Sequence, residues 1–441
     1  MNQFEGMRRA FVCASWMMGG VLATTCGVSF AEVQPQHAQI ARADESAPAG
    51  MQLDRAVIVM RHGVRAATDT RKMNASSAQP WPAFEVPDGE LTPHGYRAIV
   101  ALGRWEREYF VHQGLLDPGT CASAHDVFVW SSPASRTQAT ARAWLDGVLP
   151  RCGVEAGHAA ENQDTLFHAD ETDADSADPH EAEQAQAAML AAMGSPQAAS
   201  RRYAADVAAM ARVVGAPHAC VEEKGASHCG LYAAPWGVKV VGNAAKLTGP
   251  VAVGAAMSET IRMQYADGWP LERIAFGHVR SSADVIGLMG LRSAKYAYTN
   301  HVPLIARRGG APLLERVTRA LNDDDRGETG EGDARLQVLV GHDTNIAQLR
   351  TLLNFDWKLG EYRENDAVPG GTLLFERFVR ERDGAVFVRV SYLAQSLDQM
   401  RAITVLKGRN GPLKAVLRDA DGRTLIPLDA FDAQVKTALK P

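Results

Sequence analysis

Residues Ala56–Met60 read Ala-Val-Ile-Val-Met, an uninterrupted apolar run that stops at Arg61-His62-Gly63-Val64-Arg65. A run without polar alternation fits a strand covered on both faces, as in a sheet with helices packed on either side. Two later segments repeat the arrangement: Asp126–Trp130 ends at Ser131-Ser132-Pro133 with Arg136 just beyond, and Leu336–Val340 ends at Gly341-His342-Asp343-Thr344-Asn345. Helical patterns follow each. One starts with Thr92 as cap and Pro93 in first position and runs to about His112. A second spans about Ser135 to Leu145 and stops near Gly147, and a third runs from the His-Asp pair to about Leu353. Thr372–Phe378 and Val386–Tyr392 make a hairpin around Asp383-Gly384. The expected fold class is α/β, with a mixed, mainly parallel sheet flanked by helices.

Between about Val154 and Gly268 the pattern changes. Glu161–Gln184 is acidic and polar, and the Ala-rich segments Glu181–Met193 and Tyr203–Val214 read as helices. A longer helix, capped by Thr248 and started by Pro250, carries Met257, Ile261 and Tyr265 on one face. A chain of 441 residues exceeds what one compact core usually holds. The expected organisation is an α/β domain, 51–153 and 269–441, interrupted by a smaller α-rich domain over 154–268. There is no internal repeat.

The N-terminus reads as a signal peptide over 1–31. Arg8 and Arg9 supply positive charge, Phe11–Leu22 an apolar stretch, and Ser29-Phe30-Ala31 small residues before a cleavage site. That stretch is too short and too broken by Gly and Thr to be a membrane anchor, and Thr25 fits poorly before a lipidated Cys26. Residues 32–50 form a flexible lead-in. The expected location is periplasmic or secreted, with no membrane partner once the signal is cleaved. The formal net charge of −5 speaks against nucleic acid as a partner. Nothing in the sequence fixes an oligomeric state.

Export also decides how the cysteines read. Cys13 and Cys26 leave with the signal, so Cys121, Cys152, Cys220 and Cys229 remain for two disulfides in an oxidising compartment. Of three possible pairings, Cys121–Cys152 and Cys220–Cys229 are favoured because each closes a local loop. There is no Cys-x-x-Cys pair to suggest a zinc site and no Cys-x5-Arg loop to suggest a thiol phosphatase.

In open α/β sheets, sites form outside the carboxyl ends of the strands. Neighbouring strands here would gather Arg61, Arg65 and Arg136, His62 and His342, and Asp343. Clustered guanidiniums repel unless an anion lies between them, and phosphate suits because each fork donates paired, charge-assisted hydrogen bonds. A neutral imidazole among them attacks phosphorus, the positive surroundings keeping its pKa low. Phosphoryl transfer asks mainly for positioning and charge neutralisation, roles that arginines fill without a metal or cofactor. Asp343 would protonate the leaving oxygen as general acid.

Arg-His-Gly-x-Arg after the first strand, with His-Asp after a late one, resembles the histidine acid phosphatase family, and more narrowly its bacterial periplasmic phytases and glucose-1-phosphatases. The likeness extends to Leu91-Thr92-Pro93-His94-Gly95, Ser135-Arg136-Thr137, Leu247-Thr248-Gly249, Pro369-Gly370-Gly371 and both local cysteine pairs. It implies a small phosphomonoester as substrate and His62 as a nucleophile that becomes a phosphohistidine. Arg61, Arg65, Arg136 and His342 would bind phosphate, Thr68 and Glu259 would lie at the substrate, and Asp343 would be the proton donor. The family pattern departs at Ala67, where proline is usual, and at Asp69, where the phytase-like branch tends to a basic residue. An acid there disfavours a highly anionic substrate, though Arg71 and Lys72 are close enough to compensate.

Two rival functions share the pocket: a phosphomutase using the same histidine, and an exported phosphate- or phosphosugar-binding protein without catalysis. Other motifs carry less. Asp173-Ala-Asp175-Ser176 lacks a preceding strand, Asn322–Asp325 loses a calcium-loop pattern at Arg326, and His278 and His301 have no metal-ligand spacing.

Overall fold

Met51–Arg61 forms the first long strand (β1), and its apolar residues alternate between the two faces of a sheet. Residues 41–42, 47–119, 121–161, 163–168, 179–242, 244–322 and 334–440 are described by a computed structural model. The expected signal peptide, most of the lead-in, Asp173–Ser176 and Asp323–Asp325 lie outside the described residues. After β1 come α1 (Pro93–His112), β2 (Val127–Ser131), α2 (Ser135–Val148), α3 (Val251–Ala266), α4 (Gly290–Ala297) and α5 (Pro303–Leu321). The chain then forms β3 (Leu336–Gly341), α6 (Asp343–Leu353), β4 (Thr372–Arg380), β5 (Val386–Ala394) and β6 (Leu413–Val416).

Among the described residues these strands make a nine-stranded mixed sheet in the order Ala41–Arg42, β6, β5, β4, β1, β3, β2, Gly157–His158, with Ile426–Pro427 on β5. From β1 through β3 and β2 the pairing is parallel. Beyond β4 it is antiparallel, and β4 and β5 are the expected hairpin. The parallel register sets Arg61 beside Gly341 and Ser131 beside Val340. Three polar strand ends therefore lie side by side, as the sequence pattern required.

Both faces of β1 are covered, which is why its run is uninterrupted. Val57 and Val59 pack with Leu313 and Val317 of α5 and Ile346 and Leu349 of α6. Ala56, Ile58 and Met60 pack with Ile99, Leu102 and Phe110 of α1 and with Trp144 of α2. Each fully buried aliphatic side chain contributes about 1.5–3 kcal/mol, so a polar residue on either face would be felt in the core. Helix α1 begins as expected: Thr92 accepts from the Gly95 amide at 2.9 Å and Pro93 follows the cap. A Cβ on Gly95 would lie 2.3 Å from the Val64 carbonyl oxygen, so glycine lets α1 press against the loop that follows β1.

The region 154–268 contains the helices Pro179–Met193 and Ala204–Val214, and also a two-stranded hairpin, Gly237–Val241 with Ala244–Thr248. Thr248 is thus the last residue of a strand rather than the cap of α3. Gly249, at φ 86°, turns the chain, and the cap position shifts to Pro250. Helix α3 is buried almost all round, and its buried set includes Glu259 and Arg262 as well as Met257, Ile261 and Tyr265. The cysteines pair locally, Cys121 with Cys152 and Cys220 with Cys229. No helix among the described residues is long and apolar enough to cross a membrane.

Candidate active site

Where β1 ends, the backbone is tied on both sides. The Arg61 amide donates to Gly371 O at 2.9 Å, the His62 amide to Gly341 O at 2.9 Å, and the Gly370 amide to His62 O at 3.1 Å. His62 is buried, and its Nδ1 lies 2.9 Å from the carbonyl oxygen of Gly63. A carbonyl only accepts, so Nδ1 carries the hydrogen and Nε2 of the neutral ring keeps its lone pair. Burial, then Arg61, Arg65, Arg136 and His342, hold the His62 pKa well below 6.5. Burial and its cationic neighbours therefore favour the neutral imidazole.

The second histidine comes from the end of β3. His342 is the N-cap residue of α6, its amide donating to Asn345 Oδ1 at 2.8 Å. Its ring centroid is 5.7 Å from that of His62. Arg136, from the start of α2, approaches His342 Nδ1 with Nη2 at 3.2 Å. Guanidinium has no acceptor, so Nδ1 accepts and Nε2–H donates to Ser132 Oγ at 3.0 Å. Asp164, which also takes part in a hydrogen bond with Ser132, pairs at 2.9 Å with Nδ1 of His168, whose ring lies 4.7 Å from that of His342.

Asp343 is the first residue of α6, where the helix dipole favours a negative charge. Its Oδ2 accepts from Arg292 Nη2 and, at 2.8 Å, from the Tyr296 hydroxyl, while its Oδ1 lies 3.8 Å from Arg61 Nε. Burial pushes the Asp343 pKa up, but Arg292, Arg61, Lys295 and His62 together hold it well below 3.8. Arg61 donates to Ala367 O at 2.5 Å and to Glu259. Glu259 also accepts from Arg262, which reaches Asp366 at 2.7 Å. Arg65 spends one Nη on Ala66 O at 2.7 Å, and desolvation brings its pKa down to about 10.

The structure therefore gathers Arg61, His62, Arg65, Arg136, Glu259, His342 and Asp343. Thr68 stands apart, exposed on the loop beyond Arg65, and among the described residues no hydrogen bond joins its side chain to the cluster. Asp69, the departure noted in the sequence, caps the short helix Thr70–Asn74 by accepting from the Lys72 amide at 2.9 Å. Lys72 Nζ donates to Ala252 O at 3.0 Å.

Five guanidiniums (Arg61, Arg65, Arg136, Arg262 and Arg292) and Lys295 face three carboxylates, Glu259, Asp343 and Asp366, so the site is net positive. Buried Nε–H groups of Arg61, Arg65, Arg136 and Arg292 have no hydrogen-bond acceptor among the described residues. Orphaned cationic donors around a neutral imidazole suit an anion with several oxygens.

The profile of the histidine phosphatase superfamily (branch 2) matches residues 52–393 of this chain. The chain belongs to that superfamily. It is 31% identical to the phytase AppA of Escherichia coli, over 82% of this chain and 85% of the relative. It is 27% identical to the glucose-1-phosphatase of Salmonella typhimurium, over 90% of this chain and 95% of that protein. The crystal structure of Hafnia alvei phytase with tartrate superposes with a TM-score of 0.80 at 31% identity, covering 90% of this chain and 99% of that one.

In this histidine phosphatase, the residues that sequence reasoning missed are those whose importance arises from packing. Arg292 and Tyr296 come from α4, outside any recognised motif, and meet Asp343 only because α4 packs against α3. Their spacing of four residues places both on one helix face, a signal that was available. Arg262, three residues after Glu259 on an otherwise apolar helix, was another.

Proposed function

We propose that this histidine phosphatase hydrolyses phosphomonoesters in two steps through a phosphohistidine on His62, with Asp343 as proton donor. The orphaned Nε–H groups of Arg61, Arg65 and Arg136 around a neutral, buried imidazole carry this reading. In the first step the Nε2 lone pair of His62 bonds to phosphorus. The P–O bond to the leaving group breaks and its electron pair stays on that oxygen, which takes the proton of Asp343, protonated in the complex because the bound phosphoryl anion offsets the arginines that hold its pKa down. Arg61, Arg65 and Arg136 neutralise the charge on the phosphoryl oxygens, and His342, whose Nδ1 accepts from Arg136, orients that guanidinium. In the second step water attacks phosphorus and gives a proton to the Asp343 carboxylate, and the P–N electrons return to His62 Nε2. Glu259, both of whose oxygens are taken by arginines, orients Arg61.

The phytase and glucose-1-phosphatase relatives support a phosphorylated polyol or sugar as substrate, and the N-terminal signal pattern supports a periplasmic or secreted location. The helix-capping role of Asp69 leaves its charge near the first motif, which favours sugar phosphates over substrates bearing many phosphates. The test is Asp343→Asn on two substrates. Turnover of glycerol 2-phosphate, whose alkoxide needs a proton, falls about 100-fold or more, while p-nitrophenyl phosphate is spared most of the loss. Equal losses on both would remove Asp343 from the acid role. Incorporation of labelled oxygen from water into phosphate separates hydrolysis from mutase chemistry, and turnover itself separates it from mere binding.

A further inference from the structure

We propose that Arg292, on α4, is a positioning residue for Asp343: with Tyr296 it occupies Oδ2 of the carboxyl group and leaves Oδ1 as the oxygen that carries the transferred proton. The inference rests on Asp343 being the proton donor.

The geometry is specific to one oxygen. Both Arg292 Nη2 and the Tyr296 hydroxyl donate to Oδ2. Among the described residues Oδ1 receives no hydrogen bond, and its nearest charged neighbour is Arg61 Nε at 3.8 Å. A carboxyl oxygen whose lone pairs already accept two donors is a poor place for a proton, so protonation falls on Oδ1. The clamp is itself braced. The Arg292 guanidinium sits 4.8 Å from the centre of the Tyr296 ring, and its Nε lies 3.5 Å from Glu259 Oε2. On the far side, the His301 ring stacks on Tyr296 with centroids 5.9 Å apart. The carboxyl group therefore cannot rotate to exchange its two oxygens without breaking both bonds to Oδ2.

The same clamp sets the pH range in which the donor works. Asp343 faces Arg61 and His62 from the end of β1, Arg136 from α2, and its neighbour His342. From α4 it faces Arg292, Lys295 and Tyr296, with Glu259 of α3 across Arg292. Arg292 makes the direct ionic contact. It favours the carboxylate, so it lowers the pH at which Asp343 gives up its proton. A general acid must be protonated to act, so turnover of an alkyl phosphate falls as pH rises through the Asp343 pKa in the complex. Arg292 holds that fall at low pH, and its loss moves the fall upward.

The experiment compares kcat against pH for Arg292→Gln, Arg292→Lys and Tyr296→Phe on glycerol 2-phosphate and p-nitrophenyl phosphate. Loss of an adjacent opposite charge shifts a carboxyl group by about 1–3 pH units. The alkaline limb for glycerol 2-phosphate is expected to move up by about one unit or more in Arg292→Gln. A smaller shift of the same sign is expected in Tyr296→Phe, and a partial return in Arg292→Lys. The limb for p-nitrophenyl phosphate stays in place, because its leaving group needs no proton. Should Arg292→Gln not fold, Tyr296→Phe, which removes only a neutral donor, decides the question. A rise in KM for both substrates with no limb shift would make Arg292 a phosphate-binding arginine and overturn the proposal, as would parallel shifts on both. If Asp343→Asn separates the two substrates while these variants leave the glycerol 2-phosphate limb unmoved, only the role of Arg292 fails. If Asp343→Asn does not separate them, the donor assignment fails with it.

Discussion

Replacing Glu259 with glutamine removes one charge from the most crowded part of the protein while nearly preserving shape. Its carboxylate is buried, accepts from Arg61 and Arg262, and lies 3.5 Å from Arg292 Nε. Breaking a buried ion pair from one side costs about 3–5 kcal/mol, because the partner is left without its counter-charge. Arg61 keeps Ala367 O at 2.5 Å and Arg262 keeps Asp366 at 2.7 Å, so neither is stranded. The lower end, about 3 kcal/mol, is therefore expected at neutral pH. Acid should narrow the gap. Although burial pushes the Glu259 pKa up, Arg262, Arg61 and Arg292 hold it far below its ordinary 4.5. The stability it contributes is thus present above 4.5 and lost as pH falls toward the folded value, by up to about 1.4 kcal/mol per pH unit. Urea unfolding at pH 6.5 and pH 3.5 measures both effects, provided the slope with denaturant is unchanged. Equal midpoints for wild type and Glu259→Gln at pH 6.5, or a gap that widens in acid, would show that the Glu259 ion pairs do not stabilise the fold in this way.

Glu106 should behave in the opposite sense. Burial raises its pKa from 4.5 to about 8, opposed only by the bond from Trp144 Nε1, so its stabilising contribution is full below 4.5 and fades as pH rises toward 8. Glu106→Gln should be close to neutral at pH 4 and more stable than wild type at pH 8, as read by thermal unfolding at the two pH values. The disulfides close loops of different length, 31 and 9 residues apart in sequence. The loop-closure relation gives about 3.7 kcal/mol for the first and about 2.6 kcal/mol for the second, so Cys121→Ser/Cys152→Ser should unfold in less urea than Cys220→Ser/Cys229→Ser.

What the sequence revealed was local, and what it concealed was assembled from distant parts. The apolar run of β1 and its neighbours marks strands buried on both faces, and the position of His62, Arg136 and His342 just past strand ends brings them to one edge. The Thr92-Pro93 start of α1 and the local cysteine pairs are similarly short-range. The hairpin Gly237–Thr248 went unread because its strands are only five residues each and lie between segments that read as helices, although Val238 and Val240 flank Lys239 with Gly242 beyond. The clamp on Asp343 was marked only by the four-residue spacing of Arg292 and Tyr296. Arg292 and Tyr296 sit about fifty residues before it, on a short helix with no motif, and only the packing of α4 against α3 gives them meaning. Glu259 was visible as a candidate with Arg262 three residues on, but its other partners, Arg61 and Arg292, were not legible as such. A buried carboxylate on an apolar helix calls for cations that sequence order does not name.

In the proposed mechanism His62 Nε2 takes the phosphoryl group. Rapid mixing with phosphorus-labelled substrate, followed by quenching in alkali and in acid, tests it most directly, because a phosphoramidate at histidine survives alkali and is lost in acid. Label is expected on the protein after the alkaline quench, none after the acid quench, and none in His62→Ala under either. Label that survives acid, or label that persists on His62→Ala, would contradict it.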